Sequence, residues 1–410
     1  MVIIADKIIR ADRKPLSDGA IVIRSGKIIA VGRSGLIRRR FPRHSVIRLE
    51  NAVLMPGLVN VHAHLELPPL LARIHATDYS QWVLNLLKVK KHLMPQDYAD
   101  AARENVDEII VSGTTTVADI CTHNASPEVL SRSGLRAVIY KELISMDRDP
   151  RGSIVPRSRR PASSLIRYGI SPHSPHTVSE QALRMVLQIA KKTGMGISMH
   201  VAEARDELNL LRGKASGLDG LYAAAGWDRA WAPRARSSFE YLRRIGIMMP
   251  KFLAVHAVHV DDDDIAIIKR SGAAIAHCPR SNRTIGVGKM PLAKFLAAGI
   301  PVGLGTDSLA SSPTLNLWDE MRYACRIHRS SGITPSDLLH IATLGGAKAL
   351  GMDKEIGSLE PGKKADIIAV PLPKKDAGDI ASDLLRETKS CIMSMVNGNI
   401  IYQPQNAKRK

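Results

Sequence analysis

Eight short apolar segments, separated by longer amphipathic stretches, constrain the fold of this chain more than any other feature of its sequence. We predict strands at 57–62, 115–119, 137–141, 168–172, 196–200, 252–256, 274–277 and 302–307. Intervening segments such as 181–193 and 262–270 place apolar residues at helical spacing. Residues 334–337 (TPSD) are typical of a helix start, with proline at the first helical position. Eight strand–helix units in succession predict a closed (β/α)8 barrel of parallel strands.

Both ends of the chain depart from this pattern. Residues 20–24 and 27–31 are short apolar runs on either side of a Ser-Gly turn, and residues 365–370 and 392–402 flank polar loops. Alternating apolar runs broken by glycine and serine predict hairpin strands. A (β/α)8 barrel takes roughly 250 residues, so a chain of 410 residues has enough length for a second, smaller β unit.

The composition argues against several classes of protein. No apolar run approaches the roughly 20 residues that span a bilayer. The apolar patch at the N-terminus is broken by Asp6 and Lys7, too soon for a secretory signal. The four cysteines form no C-x-x-C pair, which predicts free thiols in a reducing compartment. We therefore expect a cytoplasmic protein with no membrane partner.

The formal net charge of +19 is unusually high. A partner of opposite sign would be nucleic acid, an anionic membrane surface or an acidic substrate. The basic residues are dispersed, with small clusters at 38–40, 148–160 and 408–410, and no aromatic residues interleave with them to stack on bases. This distribution favours a solvated basic surface over nucleic-acid binding and leaves an anionic small substrate open. Residues 148–164 lack periodicity and predict a long loop at the mouth of the barrel.

Polar side chains stand at or just after the end of almost every predicted strand. They are His62, His64, Asp119, Glu142, His173, His200, Glu203, His256, His277 and Asp307. The carboxyl ends of barrel strands all point to one face, so we expect these side chains to converge there. Any one of them alone would more often be a hydrogen-bonded structural residue. Their occurrence on separate strands all along the barrel favours a common site.

Four of these residues predict a metal centre. His62 and His64 lie two residues apart, so a strand directs both imidazoles to the same side. His200 and Asp307 supply a third nitrogen and an oxygen from across the barrel. Three neutral imidazoles and one carboxylate suit Zn2+, although Fe2+ or Mn2+ fits nearly as well by ligand type. We predict one divalent metal that activates water.

Two further residues predict the movement of protons near this metal. Glu203 follows His200 by three residues and would face the cavity without being needed as a ligand, which suits a proton shuttle. The alternative is a solvated surface glutamate. His256 ends the sixth strand, within reach of the water that the metal would bind. We interpret His259, three residues further on, as structural.

Four sequence motifs resemble the amidohydrolase superfamily. They are PGLVNVHAH at 56–64, HVAE at 200–203, AHCPRSN at 276–282 and GTDS at 305–308, followed by GSLEPGKKAD at 357–366. The nearest branch contains aminohydrolases of aminopurine and triazine-type substrates. The resemblance implies a catalytic barrel at 56–355 and a small β-sandwich-like composite domain formed by residues 1–55 and 356–410. Homologous enzymes often form dimers, which implies a homodimer.

The resemblance also implies a mechanism of hydrolytic deamination. Water activated by the metal would add to a ring carbon bearing an amino group, and ammonia would leave. Glu203 would protonate the adjacent ring nitrogen, while His256 and Asp307 would orient and deprotonate the water. Binuclear branches carry a carboxylated lysine on the fourth strand, which has no lysine here, so one metal is favoured. Lys141, at the end of the third strand, is the residue that could change this.

The substrate follows less directly from the resemblance. The segment SPHSPHT at 171–177 resembles one that contacts nucleoside sugars, which nominates His173, whereas His176 stands where relatives often have tyrosine. HLEL at 64–67 and the segment after Asp307 resemble aminodeoxyfutalosine deaminases of an alternative menaquinone pathway. The implied substrate-binding residues are His173, Glu66, Trp82, Arg280 and Ser308. For the last four, core packing or a local turn contact is the alternative.

The leading hypothesis is thus deamination of a small 6-aminopurine nucleoside derivative, with aminodeoxyfutalosine as the best candidate. Deamination of S-adenosylhomocysteine or methylthioadenosine is the alternative, followed by triazine or pterin chemistry. Triazine dechlorination is disfavoured because Glu203 is present. From different classes, a non-catalytic scaffold would lack bound metal, and a nucleic-acid-binding protein would show steep salt dependence.

Overall fold

The structure is a computed structural model that describes residues 1–11, 14–74, 76, 78–146, 163–374 and 379–404. The basic clusters at 148–160 and 408–410, and most of the loop predicted at 148–164, lie outside the described residues. All four cysteines are free thiols, as predicted. Among the helices of the described segments, none is both long enough and apolar enough to cross a membrane.

The strands are numbered in chain order. They are β1 (Val2–Ile8), β2 (Leu16–Arg24), β3 (Lys27–Arg33), β4 (Val46–Pro56), β5 (Leu58–Ala63), β6 (Thr114–Cys121), β7 (Arg136–Leu143), β8 (Ile166–Pro172), β9 (Gly196–Val201), β10 (Phe252–His256), β11 (Ala274–His277), β12 (Val302–Leu304), β13 (Ile367–Pro371), β14 (Met393–Val396) and β15 (Asn399–Tyr402).

The helices are numbered in the same way. They are α1 (Ser34–Arg40), α2 (Tyr79–Lys90), α3 (Pro95–Ser112), α4 (Ser126–Ser133), α5 (Glu180–Thr193), α6 (Arg205–Leu211), α7 (Asp219–Ala225), α8 (Ser238–Ile245), α9 (Asp262–Ser271), α10 (Pro279–Thr284), α11 (Leu292–Ala297), α12 (Leu317–His328), α13 (Pro335–His340), α14 (Gly346–Ala349) and α15 (Ile380–Glu387). A π-helical turn at Ile341–Gly345 joins α13 to α14.

Strands β5 to β12 form one parallel sheet in chain order, as a (β/α)8 barrel requires. Each of the eight predicted strands coincides with one of them. The last strand is shorter than predicted, since β12 ends at Leu304. The extended conformation is not continued to Asp307, whose backbone adopts a positive φ of 59°. The edges of the sheet meet where Thr306 and Asp307 donate backbone N–H groups to the His62 carbonyl, at 3.0 and 3.1 Å. His64 N–H donates in turn to the Asp307 carbonyl at 3.1 Å, so the barrel closes at residues predicted to bind metal.

The predicted helices are confirmed, and their ends follow from capping chemistry. Segments 181–193 and 262–270 fall in α5 and α9. Thr334 accepts the backbone N–H of Asp337, and the Asp337 side chain accepts the N–H of Thr334, with Pro335 at the first helical position. Such reciprocal hydrogen bonds satisfy N–H groups that the first turn of a helix leaves without partners.

Both ends of the chain contribute to a second sheet, as predicted. It has seven strands in the order β15-β14-β13-β4-β1-β2-β3, antiparallel except where β1 and β4 run parallel. Alternate residues of β1 enter two separate cores, because side chains of a strand alternate between faces. Ile3 and Ala5 enter one, and Val2 and Ile4 the other. The fold class is confirmed, while the division of the chain into domains at 55/56 and 355/356 stays a prediction.

A buried ion pair joins the barrel to this terminal sheet. Arg136, at the start of β7, donates to both carboxylate oxygens of Asp366 at 2.8 and 3.1 Å. Both side chains are almost completely buried. Asp366 also accepts the backbone N–H of Asn397, and its own carbonyl accepts the N–H of Gly57. The pair therefore fixes the start of the barrel against the last strands of the chain.

Replacing Arg136 with methionine should lower the free energy of unfolding by about 3–5 kcal/mol, because it leaves a buried carboxylate uncompensated. Chemical denaturation monitored by circular dichroism measures this loss. The matched control is Arg132→Met, which breaks the exposed pair of Arg132 with Glu128 and should cost no more than about 1 kcal/mol. Equal effects of the two substitutions would contradict the role assigned to the buried pair.

Candidate metal centre and active site

The four predicted metal ligands converge at the carboxyl end of the barrel. His62 and His64 are carried by β5, His200 by β9, and Asp307 follows β12. One potential ligand atom from each lies within 4.8 Å of the others. The Nε2 atoms of His62 and His64 each lie 3.5 Å from Asp307 Oδ1. This is a donor set that could hold a single divalent ion.

The electrostatics of these residues fit a metal. Burial lowers the pKa of His62 to about 4 and that of His64 to about 3, so both imidazoles are neutral and keep a free lone pair. Both ring nitrogens of His62 are buried: Nδ1 has no hydrogen-bond partner among the described residues, and Nε2 faces Asp307 Oδ1. Burial alone would raise the pKa of Asp307, but the hydrogen bond with His62 and the proximity of His64 hold it well below its usual range.

Neighbouring groups fix the orientation of the ligands. His200 Nδ1 donates to the His173 carbonyl at 3.0 Å, which leaves Nε2 free for a metal. The hydroxyls of Ser281 and Ser311 donate to Asp307 Oδ2 at 2.5 and 2.8 Å, so Oδ1 is the oxygen left facing the histidines. Such outer contacts hold ligands in place and tune their basicity.

A carboxyl group and an imidazole lie beside the ligand cluster. His256 Nδ1 is hydrogen-bonded to Asn282 Oδ1 at 2.8 Å, and His256 Nε2 lies 3.2 Å from Glu203 Oε1. Tyr79 donates its hydroxyl to Glu203 Oε2 at 3.1 Å. Burial raises the pKa of Glu203 to about 7. Glu203 is therefore poised to hold or release a proton near neutral pH, as a general acid requires.

The backbone near these side chains is strained. Ala202, His256 and Asp307 adopt positive φ angles of 53°, 71° and 59°. Such conformations cost about 1–3 kcal/mol each in residues other than glycine. Glu207 stabilises the backbone at Ala202, because its buried carboxylate accepts the backbone N–H groups of Ala202 and Glu203 at 2.9 and 3.2 Å. These backbone conformations turn the chain sharply at the strand ends and direct the side chains into the site.

A cavity of about 290 Å³ opens above the cluster. Its floor includes His64, His200, Glu203, His256 and Asp307. Apolar side chains make up much of the rest of its lining. They include Leu67, Trp82, Val83, Leu86, Leu87, Ile144, Leu221 and Trp227. The shape and lining suit an organic ligand with one polar end beside the metal centre.

Three of the five predicted substrate-binding residues line this cavity: His173, Trp82 and Ser308. The structure does not bring Glu66 or Arg280 to it. The buried carboxylate of Glu66 accepts backbone N–H groups from the loop after β6, including those of Thr122 and His123 at 3.0 and 2.6 Å. Arg280 donates to Thr314 Oγ1 at 2.8 Å and pairs with Asp319 at 3.5 Å. Both side chains are committed to contacts within the protein.

Two of the strand-end residues do not reach the cavity either. Asp119 accepts the backbone N–H of Leu65 and the hydroxyl of Ser126. His277 Nε2 lies 3.1 Å from the Nε2 of His328. Glu142 does line the cavity, with its carboxylate accepting from Thr122 Oγ1 at 2.6 Å. Of the ten residues, seven thus line the cavity, His62 lies in the ligand cluster, and Asp119 and His277 make structural contacts elsewhere.

Sequence reasoning missed several contributors to the site. Asn282, Ser281 and Ser311 orient His256 and Asp307, and the first two lie within the motif AHCPRSN, which was the available signal. Tyr79 starts α2, far from any strand end, and nothing in its local sequence marked it. Lys141 donates to Thr122 O and Asn124 Oδ1 and is not part of the ligand cluster.

Comparison with known proteins identifies the family. Residues 53–401 match the sequence profile of the Amidohydrolase family. This chain belongs to that family. It is accordingly a hydrolase that acts on carbon–nitrogen bonds.

Named relatives narrow the comparison. The chain is 32% identical to the 5-methylthioadenosine/S-adenosylhomocysteine deaminase of Pelotomaculum thermopropionicum, over 94% of this chain and 89% of that protein. It is 31% identical to the 5'-deoxyadenosine deaminase of Methanosarcina acetivorans, over 95% and 89%. Its fold resembles that of Helicobacter pylori aminofutalosine deaminase, with a TM-score of 0.87 at 21% identity, over 98% of this chain and 100% of that one.

Replacing Asp307 with asparagine should weaken metal binding by more than the roughly tenfold to hundredfold that loss of an outer contact causes, because it removes an anionic donor of the cluster. Metal content per chain after dialysis, measured by inductively coupled plasma mass spectrometry, reports the loss. The control is Asp262→Asn, which makes the same change at the exposed start of α9 and should leave metal content unaltered. Full retention of metal by the Asp307 variant would show that this carboxylate is not a ligand.

Proposed function

We propose that this protein deaminates a 6-aminopurine nucleoside by metal-assisted hydrolysis, with release of ammonia. The observation that carries the proposal is the position of Glu203. Its buried carboxyl group, with a pKa raised to about 7, lies between Tyr79 and His256 on the floor of a cavity beside the four ligands. This is where an acid must stand to protonate a ring that is attacked from the metal centre.

The metal we propose is Zn2+, held by His62, His64, His200 and Asp307. When bound, it would lower the pKa of water and so supply a hydroxide nucleophile at neutral pH. Three imidazoles and a carboxylate also accommodate Fe2+ or Mn2+. We further propose a homodimer, as is frequent among homologous enzymes.

The roles of the chain's own residues follow from their positions. Protonated Glu203 donates to the purine nitrogen next to C6, which neutralises the charge that develops as C6 becomes tetrahedral. His256, fixed through Asn282, presents Nε2 toward the site and holds the attacking water by a hydrogen bond. Asp307, kept anionic beside the histidines, accepts a proton from that water.

The reaction balances with these groups alone. A carbon–oxygen bond forms at C6 from water, and the bond between C6 and the exocyclic nitrogen breaks. One proton of water passes to Asp307 and on to the leaving amine. The proton donated by Glu203 stays on the ring nitrogen of the 6-oxopurine, and the second proton of water, carried on the C6 hydroxyl, returns Glu203 to its acid form as the carbonyl forms. The products are the 6-oxopurine nucleoside and ammonia, with no oxidant or further reactant.

The substrate class we propose is adenosine with a modified 5' position. Two relatives above 30% identity are named for such substrates, methylthioadenosine, S-adenosylhomocysteine and 5'-deoxyadenosine, and none of these carries a 5'-phosphate. The apolar lining supports this, because a phosphate buried against Leu86, Ile144 and Leu221 would lose its hydration without compensation. Aminodeoxyfutalosine is the second candidate, favoured by Trp82 and Trp227, whose indole rings would stack on its aryl group.

A panel of nucleosides tests this proposal directly. Zinc-loaded protein should release ammonia from methylthioadenosine, S-adenosylhomocysteine, 5'-deoxyadenosine or aminodeoxyfutalosine much faster than from adenosine monophosphate. The loss of absorbance near 265 nm and enzymatic ammonia assay provide two independent readouts. If protein that holds one metal per chain deaminates none of these nucleosides, the proposed purine substrate is refuted, while the assignment as a hydrolase stands.

Replacing Glu203 with glutamine should lower kcat by roughly 100-fold to 10,000-fold, because it removes the proton donor, and should leave metal content unchanged. Steady-state kinetics on the best substrate, with metal analysis of the same samples, measure both quantities. Glu128→Gln, an equivalent change on the exposed face of α4, should behave as the parent protein. A Glu203 variant with nearly full kcat would remove this residue from the mechanism.

A further inference from the structure

One face of helix α2 lines the cavity along the whole length of the helix. Tyr79, Trp82, Leu86 and Lys90 all contribute to the lining, and they are spaced by three or four residues, which places them in a single row. Eleven residues of α-helix rise about 16 Å. The row therefore starts at the tyrosine that hydrogen-bonds Glu203 and ends at a lysine about 16 Å further along the helix axis.

Lys90 is the one lysine or arginine among the described residues that line the cavity. Its ammonium group has no hydrogen bond or ion pair with any residue in the described part of the chain. The acidic groups of the lining have other partners. Glu142 accepts from Thr122, Glu203 from Tyr79, and Asp307 from Ser281 and Ser311. A half-buried cation thus faces the cavity without an ion-pair partner among the described residues.

The side chains between the two ends of the row are apolar. Trp82, Val83, Leu86 and Leu87 of α2 separate the reaction centre from Lys90. A ligand that spans this distance needs an apolar middle, since polar groups buried there would lack partners. At its far end it would meet an ammonium group, for which a carboxylate is a suitable partner.

We propose that Lys90 binds a carboxylate at the far end of the substrate's 5' substituent, and so selects carboxylate-bearing adenosine derivatives over neutral ones. This inference rests on the proposed function and deepens it by assigning the substrate class. S-adenosylhomocysteine and aminodeoxyfutalosine carry such a group, on an amino-acid tail and on an aryl ring respectively. Methylthioadenosine and 5'-deoxyadenosine do not.

A simpler explanation of Lys90 is that it interacts with the dipole at the end of α2, where basic residues stabilise a helix. Lys88 lies in the same last turn, is exposed, and is not part of the cavity lining. Lys88 experiences the same helix dipole and the same long-range field of the net charge as Lys90, but it does not line the cavity. Substitution of Lys88 therefore separates contact with the ligand from general electrostatics.

The test uses 5'-S-(3-carboxypropyl)-5'-thioadenosine and its methyl ester, a pair of substrates in which one added methyl group removes the negative charge. In the zinc-loaded full-length protein, Lys90→Met should lower kcat/KM for the acid by about tenfold to hundredfold. It should leave kcat/KM for the ester within about twofold, and Lys90→Arg should restore most of the loss. The decrease should appear mainly in KM, because the carboxylate is remote from C6.

The control and the two natural tails complete the experiment. Lys88→Met should leave kcat/KM unchanged for both the acid and the ester. Comparison of S-adenosylhomocysteine with aminodeoxyfutalosine in the Lys90→Met protein distinguishes binding of the amino-acid tail from binding of the aryl carboxylate. Equal losses for acid and ester, or equal effects of Lys88→Met and Lys90→Met, would overturn the assignment.

Failure of the proposed function is distinguishable from failure of this inference. Deamination of the methyl ester by the parent protein tests the reaction and does not involve Lys90. If neither substrate reacts, the affinities of the same acid and ester, measured by isothermal titration calorimetry, still decide the question. Preferential binding of the acid that is lost in Lys90→Met supports the inference, and equal affinity for both contradicts it.

Discussion

The hydrogen bonds between His62 and the Thr306–Asp307 segment are the constraint on which the rest of the structure depends. They join the first and last strands of the barrel and, in the same contact, bring a histidine ligand against the carboxylate ligand. Closure of the barrel and the approach of His62 to Asp307 therefore depend on the same contact. The arrangement requires a positive φ at Asp307, whose conformational strain is offset by the closed sheet and by the hydroxyls of Ser281 and Ser311.

Around this contact, burial sets the protonation states that hydrolysis needs. The same desolvation that keeps His62 and His64 neutral raises the pKa of Glu203 to about 7. Burial thus explains both effects: it keeps nitrogen lone pairs available for a metal, and it lets a carboxyl group hold its proton. Asp307 is the exception, because its immediate contacts with the histidines outweigh burial. Opposite shifts in two neighbouring carboxyl groups are what separate an acid from a base in one site.

The candidate metal centre and the apolar wall of the cavity belong to different parts of the fold. Strand ends supply the ligands and Glu203 follows one of them, whereas the wall is built largely by α2 and by side chains of the loops and helices above the barrel. Relatives named for methylthioadenosine, S-adenosylhomocysteine and 5'-deoxyadenosine share about 30% of their residues with this chain. Substitutions in such a wall change which substrate binds, whereas the residues at the strand ends preserve the reaction, as is general for barrels of this type.

The sequence by itself determined the eight barrel strands, the two β-rich ends and the convergence of the four candidate metal ligands, because alternation along a strand fixes which side chains share a face and all strand ends of a barrel meet. Only the tertiary structure decided which polar residues enter the cavity. Glu66 and Arg280 turn to backbone and side-chain partners nearby, and Asp119 and His277 do the same. Tyr79 and Lys90 reach the cavity from a helix whose orientation depends on packing against distant segments. Local periodicity identifies a helical face, but contacts between residues far apart in the chain determine what that face meets.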